Sequence, residues 1–381
     1  MIPYGKHLVD EQDVDAVVDV LRNQNLTQGA IVPKFEQALC DYTSCQYATA
    51  VNSATSGLHL ACLAGGVQQY DLVWTVPNSF VASANCALYC GAKIDFVDIN
   101  ASTRNIDVEA LGKKLVVAAK TNALPKALIV VHFSGLSCDM QAIHNLTQKY
   151  QVLLIEDAAH ALGGSYQQRK VGSCQYSDMS VLSFHPVKSI TSAEGGAVLT
   201  NSKTYDTKVK LLAKHGVTRD VEQMTCESPG PWYYQQIALG FNYRLSDLHA
   251  ALGLSQLTKL DGFIARRTEL ALNYQNALAD LPLKLPIFSD DSNSAWHIYM
   301  VEVLQHDRKT IFEQLQARGV GVNVHYIPIH LQPYYQQFGF KQGDFPISEQ
   351  FYHNALTLPL FPSLEDAQQN TVIDVLHKVL Q

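Results

Sequence analysis

Three stretches carry residues whose types and spacing could do chemistry. The first, "VLSFHPVKSITSAEGGAVLT" (181–200), sets Lys188 in a short connection of small and polar residues between two runs that read as interior strands. Lysine is almost never fully buried without a partner, so this one is either at the surface or held for chemistry. In "VLLIEDAAHALGG" (152–164), Asp157 follows the apolar run Val152 to Ile155. Its carboxylate should emerge at a strand's carboxyl end, in the crevice where open α/β sheets bind ligands. The alternative is an N-cap for a helix that follows. In "NSATSGLHL" (52–60), Ser53, Ala54, Thr55 and Ser56 stand where a strand gives way to a helix. Small hydroxyl residues at a helix N-terminus suit an anion such as phosphate. An acid, an anion pocket and a lysine at successive strand ends answer the needs of a pyridinium nitrogen, a phosphate and an aldehyde. Pyridoxal phosphate (PLP) has all three groups. A desolvated lysine also loses its proton readily, which a Schiff-base nucleophile requires.

Elements must hold these residues in place. Between Tyr47 and Leu199, "YATAVN", "DLVWTV", "KIDFVDI", "ALIVV", "VLLIED", "MSVLSF" and "GAVLT" read as strands. Several are continuously apolar, as strands covered on both faces are. The stretches "SGLHLACLAGG", "SFVASANCALYCG" and "MQAIHNLTQKY" supply helical crossovers, which makes an α/β sheet with helices on both sides. After a mainly helical stretch from Lys203 to Leu281, the pattern predicts a small α/β domain. Its elements are a strand at "HIYMVEVL", a helix at "RKTIFEQLQARG", a strand at "GVNVHYIP" and a terminal helix. The loop "TRDVEQMTCESPGPWYY" lacks periodicity and reads as a surface or interface loop.

Composition bounds the function. A chain of 381 residues suggests two domains, and 47% hydrophobic with 17% charged residues is ordinary for a globular enzyme. A net charge of −7 with scattered lysines and arginines argues against a nucleic-acid binder. No run reaches the roughly 18 apolar residues of a membrane span, and the N-terminus lacks a signal peptide's apolar core. The eight cysteines form no CxxC pair, so a reduced cytoplasmic protein without a bound metal is expected. No P-loop pattern and no GxGxxG occurs, which excludes the first and weakens a dinucleotide-binding reading.

The order "NSATSGLHLA … EDAAHALGGSY … SFHPVKSITSAEGGAVLTN … GFNYRLSDLHAALGLSQL … VHYIPIH" resembles the DegT/DnrJ/EryC1/StrS sugar aminotransferases, over nearly the whole chain. The resemblance implies a fold type I PLP-dependent transferase. Its large domain (1–260) would hold a mostly parallel seven-stranded sheet and an N-terminal substrate-contacting segment, and its small C-terminal α/β domain would span 261–381. Through "NLTQG", "NSATS", "SFVASAN", "TSAEGGAV" and "HYIPI" it is similar above all to the members that aminate UDP-linked 4-keto sugars for pseudaminic acid, the alternative being another nucleotide-linked keto sugar, dTDP- or GDP-linked and aminated at C3 or C4. The amino donor would be glutamate. By the same resemblance Lys188 is the Schiff-base lysine, Asp157 holds the pyridinium proton, and His160 lies near the ring's phenolic oxygen. Phe80 stacks on the ring, while Ser53, Ala54, Thr55, Ser56 and Ser183 surround the phosphate. Asn242 reaches that phosphate from a neighbouring subunit, which implies a homodimer with shared sites. Tyr4, Gln24, Asn25, Leu26, Thr27, His185, His325, Tyr326, Ile327, Pro328 and His330 are expected at the substrate. A PLP-dependent sugar dehydratase would carry histidine in place of Lys188, and a PLP-dependent regulator would carry a DNA-binding segment.

Overall fold

The computed structural model describes residues 1–380. Its centre is a seven-stranded sheet. The strands are β1 (Tyr47–Val51), β2 (Leu72–Thr75), β3 (Lys93–Phe96), β4 (Ala127–Val131), β5 (Leu153–Asp157), β6 (Met179–Ser183) and β7 (Gly196–Thr200). Their spatial order is β1-β7-β6-β5-β4-β2-β3, and β7 alone runs against its neighbours. The carboxyl ends of β1, β2, β4, β5 and β6 therefore share one edge of the sheet with the start of β7. That edge gathers Ser53, Asp157, Ser183 and Lys188.

Every residue of β4, β5, β6 and β7 is buried. The period-two alternation of a strand explains how both faces are used. Ile129, Ile155, Val181 and Val198 enter one core, with Leu58, Leu60 and Ala61 of the helix Ala54–Ala64. Leu128, Val130 and Leu154 enter the core on the other face, and Leu182, Ala197 and Leu199 pack there beside the helix Ile31–Thr43. A strand with apolar residues at successive positions needs cover on both sides, and here it has it.

The C-terminal unit is a three-stranded antiparallel sheet in which Tyr299–Val303 lies between Leu283–Lys284 and Ala355–Leu358. The helices Arg308–Ala317 and Asp366–Leu380 close its core. The strand Ala355–Leu358 had no counterpart in the sequence reading. The strand expected at 321–328 does not form. Only Asn323 bridges to Thr357, because Pro328 offers no N–H to a ladder and the chain turns away so that Ile329 N donates to Pro77 O at 2.8 Å.

Two features depart from the expected division at residue 260. The helix Leu260–Ala277 buries Leu260 in the large core and Leu270, Ala271 and Tyr274 in the small one. The N-terminal residues attach to the small unit rather than the large: Ile2 N donates to Gly319 O, Gly321 N to Ile2 O, and Leu360 N to Tyr4 O. No helix among the described residues is long and apolar enough to cross a membrane.

Candidate active site

Lys188 lies in the connection between β6 and β7, and a dense set of local bonds shapes that turn. Lys188 N donates to His185 O at 2.9 Å, and Ser192 N donates to Phe184 O at 2.9 Å. Thr191 Oγ1 donates to Phe184 O and accepts from Ala193 N. A side chain on Gly195 would place its Cβ 2.3 Å from Ser192 Oγ and force that hydroxyl away from Glu194 O, to which it donates. The lysine opens into a cavity of about 300 Å³. Burial lowers its pKa to about 8 even though the charge of Asp157 pulls the other way.

The buried Asp157 accepts from Ser83 Oγ at 2.6 Å and from Ala159 N at 3.2 Å. Ser83 in turn meets Ser79 at 2.7 Å. No helix follows Asp157, so the capping alternative has nothing to cap. Ser53 is instead the residue that caps a helix: its Oγ accepts from Ser56 N at 3.1 Å at the head of Ala54–Ala64. A Cβ on Gly196 would sit 2.6 Å from Ala54 N. Bare backbone from β7 thus approaches the helix N-terminus, leaving room for an anion beside Ser53, Ala54, Thr55 and Ser183 on the cavity wall.

His160 faces the same cavity. Its Nε2 lies 3.1 Å from the Tyr326 hydroxyl and its Nδ1 has no partner. Burial, the charge of Lys188 and then that of His325 push its pKa well below the ordinary imidazole value. His325 is lowered to about 4, first by burial and then by Lys188. Its Nδ1 lies 2.8 Å from Thr357 Oγ1, and its ring packs 5.6 Å from that of Tyr4. Burial and then Asp157 raise the Tyr326 phenol. Phe80 stands at the mouth, 57% exposed, with its ring 6.2 Å from that of Tyr326. His185 also lines the cavity.

The structure brings together Tyr4, Ser53, Ala54, Thr55, Phe80, Asp157, His160, Ser183, His185, Lys188, His325 and Tyr326. It does not bring the rest. His330, expected at the substrate, is fully buried with Nε2 2.8 Å from Glu349 Oε1, so no ligand in this cavity touches it. Pro328 is buried away from the cavity and Ile327 points to solvent. Ser56 serves the cap and does not line the wall.

Gln24, Asn25, Leu26 and Thr27 are exposed at a different place. The buried Asp247 carboxylate ties down the turn that follows them through Gly29 N and Ile31 N. Asn25 and Thr27 border a second groove with Lys210, Lys214, Arg219 and Arg244. Asn242 is exposed and outside the Lys188 cavity of its own chain. Sequence reasoning missed Ser79, Ser83 and Glu194 on or beside the cavity wall. The i, i+4 spacing of the two serines in "SFVAS" was the available signal.

This edge-of-sheet cavity joins a lysine, a buried acid and a helix N-terminus, and comparison with known proteins gives the class and the family. The profile of the DegT/DnrJ/EryC1/StrS aminotransferase family matches residues 7–377, and this chain belongs to that family. It is similar to a Campylobacter jejuni UDP-4-amino-4,6-dideoxy-N-acetyl-beta-L-altrosamine transaminase, with 38% identity covering 100% of this chain and 98% of the relative. It is also similar to the Bacillus subtilis spore coat polysaccharide biosynthesis protein SpsC, with 37% identity covering 100% and 97%. Streptococcus pneumoniae Spr1654 in its PLP form superposes with a TM-score of 0.90 at 27% identity, covering 100% of both chains.

PLP is the cofactor, and the residues present fit it. Asp157 is a buried carboxylate bonded only to a hydroxyl and an amide, which suits a cationic ring nitrogen. The Gly196 approach leaves helix N–H groups open to a phosphate, and His160 stands on the cavity wall beside them.

Proposed function

We propose that this chain moves the amino group of glutamate to C4 of a UDP-linked 4-keto-6-deoxy-N-acetylhexosamine, in pseudaminic acid or related amino-sugar synthesis. The observation that carries this reading is the cavity lining. Tyr4, Phe80, His325 and Tyr326 offer rings and hydrogen-bonding groups, and no arginine is present. Glutamate, itself a dicarboxylate, must enter the same cavity without a guanidinium clamp, so the rings and not the missing arginine mark the acceptor. A sugar carrying a nucleotide is held by stacking and single hydrogen bonds. The activity for which the Campylobacter relative is named supports the same class.

When bound, PLP supplies an electron sink for the carbon that exchanges its proton and amine. Lys188 would hold it covalently, Asp157 its ring nitrogen, His160 a ring oxygen, Phe80 its face, and Ser53, Ala54, Thr55 and Ser183 its phosphate. With a pKa lowered to about 8, Lys188 Nζ both accepts and returns a proton near neutral pH. Neutral His160 adds no second positive charge beside it. The protein works in the cytoplasm, a reading supported by eight cysteines that are all free.

The deciding experiment incubates the protein with PLP, glutamate and a panel of UDP- and dTDP-linked 3-keto and 4-keto sugars, with oxaloacetate alongside, and reads the products by mass. Amination of UDP-4-keto-6-deoxy-N-acetyl sugars in preference to the others is expected. Better use of oxaloacetate overturns the assignment. Tyr4→Ala and His325→Ala should each raise KM for the sugar by about tenfold, the loss of one good contact. The glutamate half-reaction should stay near its original rate. Equal slowing of both halves would remove these two residues from sugar binding.

The same reading makes the active enzyme a homodimer in which Asn242 of one subunit completes the phosphate site of the other. Its exposure outside its own cavity supports this, as do the apolar side chains on 221–239, where Trp232 is 71% exposed. Mixing Lys188→Ala with Asn242→Asp chains should restore activity at about a quarter of all sites, since half of randomly mixed dimers hold one intact site of two. A mixture as inactive as its components rules out the shared site.

A further inference from the structure

Beneath His160 lies a second imidazole with no assigned part. The rings of His160 and His297 are 4.3 Å apart between centroids, and both side chains are buried. Each Nδ1 lacks a hydrogen-bond partner. A fold needing only volume at this place would be better served by an apolar ring, because buried polar atoms are normally paired.

His297 is also held unusually firmly. Its N–H donates to Ser134 O at 3.0 Å. Its carbonyl accepts from Arg267 Nη1 at 3.1 Å, and the same nitrogen reaches Trp296 O and Leu360 O. Gly135 fits against this segment only as glycine, since a Cβ there would lie 2.8 Å from Trp296 N and 3.1 Å from His297 N. The segment therefore binds the lead-in of the small unit's central strand to the loop after β4.

We propose that His297 is a positioning residue for the active-site imidazole. Packed against His160 with its ring tilted by 42° and its backbone pinned by Ser134 and Arg267, it fixes the orientation in which His160 meets Tyr326 and faces the Lys188 cavity, and it ties that orientation to the seating of the small unit. The significance for turnover rests on the proposed role of His160 at the cofactor, whereas the positioning itself can be read without it. On its cavity side His160 faces Lys188, His325, Tyr326 and Asp157, and on the far side His297 faces Arg267. Burial first, and then the charges of Lys188 and Arg267, favour two neutral rings.

The test follows the His160 ring by nitrogen-15 histidine NMR of the cofactor-free protein, with His160→Gln supplying the assignment. His297→Ala should move and broaden the His160 ring signals and let that ring take up a proton at higher pH than in the parent protein. In the PLP-loaded enzyme the same change should cut turnover by about a hundredfold, as loss of geometry at a reacting centre does. His297→Phe restores a ring against His160 and should recover both the His160 signals and most of the turnover. Unchanged His160 signals in His297→Ala overturn the proposal, as does equal damage from alanine and phenylalanine. If the signals shift while turnover holds, positioning stands and the assignment of His160 to the cofactor falls.

Discussion

Borohydride reduction of the PLP-loaded protein leaves the cofactor on Lys188 and on no other lysine. Lys188 is the lysine that the β6–β7 turn holds in the cavity, and burial brings its pKa to about 8. At pH 7 about one such lysine in ten is uncharged, against roughly 3 in 10,000 for an ordinary one. Capture of PLP by the empty protein should therefore speed up as the pH rises toward 8 and level off above it. Lys188→Ala should still bind the cofactor, without a covalent link, through Asp157 and the phosphate cradle. Its turnover should fall by at least about 10⁴-fold, because nucleophile and proton carrier vanish together. Peptide mapping of the reduced protein checks the first point and single-turnover kinetics the second. Label on another lysine, or appreciable turnover without Lys188, overturns the assignment.

Asp157→Ala should be the second most damaging single change. The carboxylate is buried, and its only protein donors are Ser83 Oγ and Ala159 N. Without it, a charged ring nitrogen in this cavity has no counter-ion. Losing a preorganised electrostatic partner typically costs 10²–10³ in kcat, roughly 3–4 kcal/mol. Ser83→Ala removes one donor and leaves the charge, so it should cost far less. Measured kcat and PLP affinity for the two variants separate a charge role from local packing. Near-parent turnover in Asp157→Ala would reduce the residue to a turn-forming one.

The sheet and the cavity's central residues were legible in the sequence for a common reason. Strands covered on both faces are apolar at successive positions, so "ALIVV" and "MSVLSF" stand out, and polar residues at their ends mark the ligand edge. Asp157 ends such a strand, Ser53 comes two residues after one, and Lys188 lies five residues beyond another. What was not legible depends on contacts far apart in sequence. "GVNVHYIP" has the β-branched composition of a strand, yet Pro328 and the bond from Ile329 to Pro77 carry it into the cavity wall. His330, two residues beyond Pro328, shares the motif of His325, but its Glu349 partner lies in the separate helix Pro346–Asn354 and takes it out of reach. The turn that follows Gln24 to Thr27 is held by Asp247, more than 200 positions later in the chain. Ser83 and His297 meet Asp157 and His160 across shorter gaps that are still far beyond any local motif.

The bonding of the first residues to the C-terminal sheet bears on how the protein is handled. Tyr4 hangs at the cavity mouth on a strap anchored by Ile2 to the backbone of Gly319 and Gly321, and its own carbonyl holds Leu360. An affinity tag or fusion partner joined directly to Met1 begins one residue from those anchors. A KM for the sugar that differs between tagged and tag-free protein would show that the tag disturbs them. Tag-free protein, or a cleavable tag on a long linker, is the sound starting material for ranking candidate sugars.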